Sequence, residues 1–264
     1  MVIFMNNIGT NPILMAFFAT LFTWFMTLLG AGIVFFFKKI NRTLFDSLLG
    51  LSAGVMIAAS FWSLIAPAIT MAEKLNINKV LIPTIGFLFG GIVILLMDNF
   101  FSKRENLFSN TKKRCLLLIS SITLHNIPEG LAVGVAFGSI IYNIDGATIS
   151  NAIGLALGIG IQNFPEGAAV SLPLRREGLS RNRAFFYGQL SGFVEVIAGI
   201  IGALLVLKMR FILPFFLSFA AGAMIYVVSK ELIPECETND KKGLITMFIL
   251  IGFIIMMSLD VLLG

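Results

Sequence analysis

Two stretches decide how this chain is read: Leu124-His125-Asn126-Ile127-Pro128-Glu129-Gly130 and Ile161-Gln162-Asn163-Phe164-Pro165-Glu166-Gly167. Each lies inside a long apolar run. Each places a nitrogen or amide side chain four residues before a glutamate, with a proline just ahead of that glutamate. On a helix, residues four apart share a face, so His125 points with Glu129 and Gln162 with Glu166. Proline has no N–H and crowds the carbonyl four residues back, so Pro128 frees the carbonyl of Leu124 and Pro165 that of Ile161. Inside a membrane such backbone is tolerated only where protein or water satisfies it. Two kinked helices with carboxylates and ligand atoms facing one space read as an ion site.

The surrounding composition says what kind of chain carries these phrases. Its 264 residues are 58% hydrophobic and 12% charged, with a mean hydropathy of +0.96. That excludes an ordinary soluble domain and points to a polytopic membrane protein. The 26 Phe and 25 Gly suit lipid-facing surface and close helix contacts. The net charge of +5 is no nucleic-acid signal, because the basic residues fall in loops between apolar runs. No basic stretch precedes the first run, so no signal peptide is expected.

Eight apolar segments follow one another at 12–37, 47–72, 80–102, 115–142, 149–175, 184–207, 211–236 and 244–263. A span needs about 20 residues, so all eight are expected to cross the bilayer. Of the 19 Lys and Arg, only Lys74, Lys79, Lys208 and Arg210 lie in one set of alternate loops. The richer set should be cytoplasmic, which puts both termini outside. Cys115 and Cys236 then lie at the cytoplasmic side, where thiols stay reduced, and are expected to be unpaired.

Depth follows from about 1.5 Å of rise per residue. His125 falls about 15 Å from the cytoplasmic face, Gln162 about 20 Å from the outer face, Glu195 about 17 Å and Met56 about 14 Å deep. In a hydrocarbon core of about 30 Å, four helices therefore offer ligand atoms near the midplane. A second echo accompanies this. Ala53-Gly54-Val55-Met56-Ile57 resembles Ala221-Gly222-Ala223-Met224-Ile225, on spans that run in opposite directions, and Asp98 resembles Asp260. That is the pattern of an inverted repeat, which in transporters brackets a midplane site.

The chemistry leaves alternatives. Glu129, Glu166 and Glu195 are three carboxylates deep in hydrocarbon with no Lys or Arg expected at their depth. A bound dication would balance two of the charges; shared protons would serve as well. Imidazole, carboxylate and amide suit zinc, iron or manganese better than magnesium. Met56 is either a thioether ligand or plain packing. Asp98 and Glu231 near the cytoplasmic ends of their spans, and Asp260 near an outer end, read either as interfacial acids or as way-stations on a path. Glu235, Glu237 and Asp240 look like a solvated loop. An intramembrane metalloprotease would need a His-Glu-x-x-His motif, and the sequence has one histidine.

At these residues the chain resembles the ZIP family of divalent-metal transporters, in its bacterial GufA-like branch. The carrying phrases are HNIPEG at 125–130, QNFPEG at 162–167, SGFVE at 191–195, AGVMIAAS at 53–60, AGAMIYVVSKELIPE at 221–235 and LDVLLG at 259–264. They fall across the chain from the second span to the last. The resemblance implies an all-α membrane protein of eight transmembrane helices in a 3+2+3 arrangement with an inverted repeat. Residues 1–264 would form a single transporter domain in the cell's inner (plasma) membrane. It implies a binuclear site on spans four and five. The first metal position maps to Met56, His125, Glu129, Gln162, Glu166 and Glu195. The second maps to Asn126, Glu129, Asn163, Glu166 and Glu195. Asp98 and Glu231 match the family's cytoplasmic exit and Asp260 an outer acid. The implied activity is transport, not enzymatic, of Zn2+, with Fe2+, Mn2+ or a broad range including Cd2+ as alternatives. A membrane metal sensor that does not transport is a further alternative. No cofactor and no nucleic acid are implied; the partners are the metal ion, the lipid bilayer and, as often in the family, a second copy in a homodimer. Elevator-like movement is the family's proposed mode. Asn163 stands where some bacterial members carry Asp, Lys230 where some carry His, and the histidine-rich loop of many eukaryotic members is missing.

Overall fold

Long apolar runs satisfy their own backbone as helices, and in a computed structural model of the chain the described residues are almost all helical. It describes residues 11–36, 41–104, 110–142, 148–208, 210–234 and 239–263; within these, the side chains of 101–118, 120–122, 124, 125, 176, 208, 210 and 263 lie outside the description. Eight long helices follow in order. They are α1 (Pro12–Phe36), α2 (Arg42–Lys74), α3 (Leu81–Arg104), α4 (Asn110–Ser139), α5 (Ile149–Arg176), α6 (Arg181–Lys208), α7 (Leu213–Leu232) and α8 (Lys242–Leu263). Two of them change pitch: α2 passes through a π-helical stretch at Ser60–Ile65, and α7 ends in one at Val228–Leu232. Such bulges often mark functional positions. The helices carrying Pro128 and Pro165 run continuously through them.

Short polar side chains start these helices by accepting from the free N–H groups of the first turn. Asn11 accepts from Ile13 N–H at 3.0 Å, Asn41 from Thr43 at 2.9 Å and Asn78 from Leu81 at 2.9 Å. Thr148 accepts from Asn151 N–H at 3.1 Å and Asn239 from Lys241 at 2.9 Å. The α5–α6 turn needs a left-handed residue, and Gly178 supplies it with φ 97°.

Among the described residues, six of the eight helices are long and apolar enough to cross a membrane: α1, α2, α3, α6, α7 and α8. The other two, α4 and α5, carry the motif phrases, and much of α4 lies outside the residues whose side chains are described. Gln162, Asn163, Glu166, two prolines and several glycines dilute the hydropathy of α5. These helices can carry them because they sit inside, with most of 150–175 and 126–139 buried. By contrast α3 and α8 lie outermost, with 22% and 17% of their most apolar window buried.

Packing is set by glycine. A Cβ on Gly130 would lie 2.6 Å from the Glu195 Cα, and one on Gly167 would collide with the Thr27 carbonyl. The last residue of each motif phrase thus presses α4 onto α6 and α5 onto α1. The outer pairs use the same device. Gly54 of α2 abuts the backbone of Ile249, and Gly252 of α8 abuts Leu51. Gly222 of α7 abuts Phe87, and Gly90 of α3 abuts Phe219. Cys236, Glu235 and Glu237, and the side chain of Cys115, lie outside the described residues; Asp240 is exposed as expected.

Candidate metal centre

Helices α4, α5 and α6 meet at a buried polar cluster. Glu129, Gln162, Asn163 and Glu195 are fully buried, Asn126 is 1% exposed and Glu166 5%. Buried polar groups are normally hydrogen-bonded, and part of this cluster is. Gln162 Nε2 donates to Glu129 Oε1 at 2.5 Å, joining α5 to α4. Asn163 Nδ2 lies 2.8 Å from both carboxylate oxygens of Glu195, joining α5 to α6. Asn126 Nδ2 donates to the Ser191 carbonyl at 2.8 Å, and Asn163 Nδ2 to the Thr23 carbonyl at 3.1 Å. So Gln162, expected to share a helix face with Glu166, also reaches across to the other phrase.

The rest of the cluster has no donors. Asn126 Oδ1, Glu129 Oε2, Gln162 Oε1, Asn163 Oδ1 and Glu166 Oε2 are all buried without a hydrogen-bond partner. Leaving one such atom unsatisfied costs about 1–3 kcal/mol, more for a charged group. Glu129 also feels the charges of both Glu166 and Glu195. Five orphaned oxygens and three mutually repelling carboxylates are what a cation would relieve. Among the described residues no three His, Cys, Asp or Glu side chains by themselves form a group placed to hold an ion. The amides supply the remaining donors, and the side chain of His125 on α4 lies outside the described residues.

Met56 is buried on α2, at 1% exposure. One turn earlier on that helix, Ser52 donates to the Gln162 carbonyl at 3.1 Å, which ties α2 to α5 at the level of the cluster. The outlying acids stand apart from it. Asp98 on α3 pairs with Lys230 on α7, whose ammonium also lies 5.7 Å from the Tyr226 ring centre. Lys230 therefore engages the acid of the neighbouring helix as well as standing beside Glu231 in the π stretch. Asp260 on α8 accepts from Ser63 on α2 at 2.6 Å, and its Oδ2 is unpartnered.

One member was missed in the sequence. Thr23 on α1 is fully buried and donates to Glu195 Oε2 at 2.5 Å. The signal was available: Thr20, Thr23 and Thr27 form one buried polar face along an otherwise apolar helix.

A helical membrane protein with a buried, oxygen-rich cluster on its two most polar helices is the class that fold and site define. A family model described as ZIP zinc transporter matches residues 102–260, and the chain belongs to that family, in its GufA-like branch. The protein called zinc transporter ZIP11 of Xenopus tropicalis is 39% identical, with 97% of this chain and 99% of that protein aligned. Zinc transporter GufA of Myxococcus xanthus is 33% identical over 93% and 98%. Zinc transporter ZIPB of Bordetella bronchiseptica is 35% identical over 90% and 78%.

Proposed function

We propose that this protein carries a divalent transition-metal cation, zinc first, across the plasma membrane into the cytoplasm, binding it near the midplane between α4 and α5. The observation that carries the reading is the set of five buried oxygens without donors on Asn126, Glu129, Gln162, Asn163 and Glu166. Met56, His125, Glu129, Gln162, Glu166 and Glu195 are the proposed first position. Asn126, Glu129, Asn163, Glu166 and Glu195 are the second, weaker one. The printed names of the relatives, all zinc transporters, point the same way. The prevalence of oxygen donors also favours manganese or iron as a second reading, since carboxylate and carbonyl oxygens suit harder cations.

The whole chain is read as one transporter domain in which α1–α3 and α6–α8 are inverted copies flanking α4 and α5. Matched contacts support this. Asn163 reaches the Thr23 carbonyl of α1 as Asn126 reaches the Ser191 carbonyl of α6. Gly54 against Ile249 matches Gly222 against Phe87, and Gly252 against Leu51 matches Gly90 against Phe219. The π stretches begin four residues after Met56 and four after Met224. Asp98 and Asp260 each engage a side chain from one of those stretches. On this reading Asp260 stands at the outer entrance and Asp98 and Glu231 at the cytoplasmic exit. Both termini lie outside, and the exposed faces of α3 and α8 meet lipid or a second copy.

Release matters as much as binding, because an ion held too tightly does not leave. The test is uptake of zinc, manganese, iron and cadmium into proteoliposomes of the purified protein. Saturable zinc influx is expected. Binding without influx would replace transport with metal sensing, and preference for manganese or iron would change the cargo.

A further inference from the structure

Of the three clustered carboxylates, Glu195 is the one whose oxygens both have donors. Thr23 Oγ1 donates to Oε2 at 2.5 Å, and Asn163 Nδ2 lies 2.8 Å from Oε1 and Oε2 alike. The second Asn163 hydrogen goes to the Thr23 carbonyl at 3.1 Å, which closes a ring through α1, α5 and α6. This orientation of the amide places its nitrogen among three oxygens and leaves Oδ1 without a donor. The Thr23 hydroxyl also lies 3.0 Å from the Thr20 carbonyl, but it has one proton, and the shorter bond is to the carboxylate. Hydrogen bonds to an ionised acceptor are the stronger kind.

The ring is held shut by packing. Gly167 of α5 abuts the Thr27 carbonyl, and a Cβ on Gly192 of α6 would lie 2.8 Å from the Thr27 side chain. Thr27 is one turn from Thr23 on α1, so both neighbours close on that helix at one level. Neutral donors in this ring do for Glu195 what a second cation would do. To enlist Glu195 as a ligand, an ion must compete with donors held in place by three helices, Thr27 of α1 being a further hydrogen-bond partner beside Thr23 and Asn163.

We propose that Thr23 is a positioning residue of the transport site: with Asn163 it holds Glu195 back from the cargo, so that the ion is gripped chiefly by Glu129 and Glu166 and leaves readily. This rests on the transport reading and adds α1 to the machinery. Thr23→Val replaces the hydroxyl by a methyl of similar size, Thr23→Ala removes it with a smaller group, and Thr23→Ser keeps it. Zinc uptake into proteoliposomes gives KM and Vmax, and zinc titration of the purified protein gives Kd. Thr23→Val and Thr23→Ala should lower KM and Kd on the order of tenfold, the size of one hydrogen bond to a charged group, and lower Vmax as well. Thr23→Ser should keep both constants near wild type. Unchanged constants would overturn the proposal. So would raised ones, since Thr23 would then be presenting Glu195 to the ion, and so would equal shifts in Ser and Val, which would be packing. If Val and Ala both fail to assemble while Ser folds, the hydroxyl is structural and the proposal falls. A wild type that moves no zinc would instead remove the transport reading itself.

Discussion

Gln162 on α5 and Glu129 on α4 are joined side chain to side chain at 2.5 Å, so the two motif phrases meet each other directly. Each residue spends one polar atom on this bond and keeps one buried oxygen without a donor. The bond therefore fixes the spacing of the phrases and leaves a ligand atom on each side of it.

The first prediction follows from that geometry. Glu129→Ala and Glu166→Ala remove carboxylates that α4 and α5 bring to the cluster. Each should lower zinc uptake at least about tenfold, the loss of one or more charged interactions, while the protein still reaches the membrane. Uptake by variants quantified in the membrane fraction is the check, and wild-type rates would remove the central claim.

The second prediction is that Asn163 sets the occupancy of the proposed second position. A carboxylate there would add a negative charge and remove the donor that satisfies Glu195. Wild-type protein should bind one zinc firmly and a second weakly, and Asn163→Asp should strengthen the second and slow release. Zinc stoichiometry and flux measured side by side decide this. Two equally tight ions in the wild type would contradict it.

Gly130 is the close contact that positions Glu195 beside α4. Gly130→Ala forces the helices apart and should cost about 1–3 kcal/mol, as overpacking does. Gly243, near the start of α8, has nothing within 4 Å of a built Cβ. Gly243→Ala should be neutral or stabilise by up to about 1 kcal/mol through helix propensity. Thermal unfolding in detergent compares the pair; equal shifts would show that the contact at Glu195 is not limiting.

Orientation is tested at exposed loop positions. With Cys115 and Cys236 replaced by Ser, Lys79→Cys should react with an impermeant thiol reagent added outside intact cells. Asp240→Cys should react only after the cells are opened. The reverse pattern would invert the assigned topology.

The Lys230–Asp98 pair is partly exposed, 42% and 22% at the two side chains. Pairs of this kind contribute little, so Lys230→Ala should cost at most about 1 kcal/mol of stability. It should nevertheless slow zinc uptake, by about two- to fivefold, because an unpaired Asp98 at the exit retains the departing ion. Uptake unchanged in a stable variant would remove Asp98 from the path.

The sequence by itself determined the helices and the acids and amides of the cluster. Hydrophobic runs, Asn and Thr caps and the two proline–glutamate–glycine phrases are local signals, readable because a helix satisfies its backbone within its own segment. Helix ends such as Pro12, Ile149 and Leu263 agree with that reading. Only the tertiary structure decided who meets whom. Spacing aligned Gln162 with Glu166, but the approach of α4 to α5 gave its amide to Glu129. Chain order set Lys230 beside Glu231, but the α3–α7 contact gave it Asp98. Thr23 lies in a span without a motif, and its place against Glu195 arises from glycine contacts that press α1 onto α5 and α6. Such pairings depend on crossings between helices far apart in the chain, and the pattern within a single helix carries no record of them.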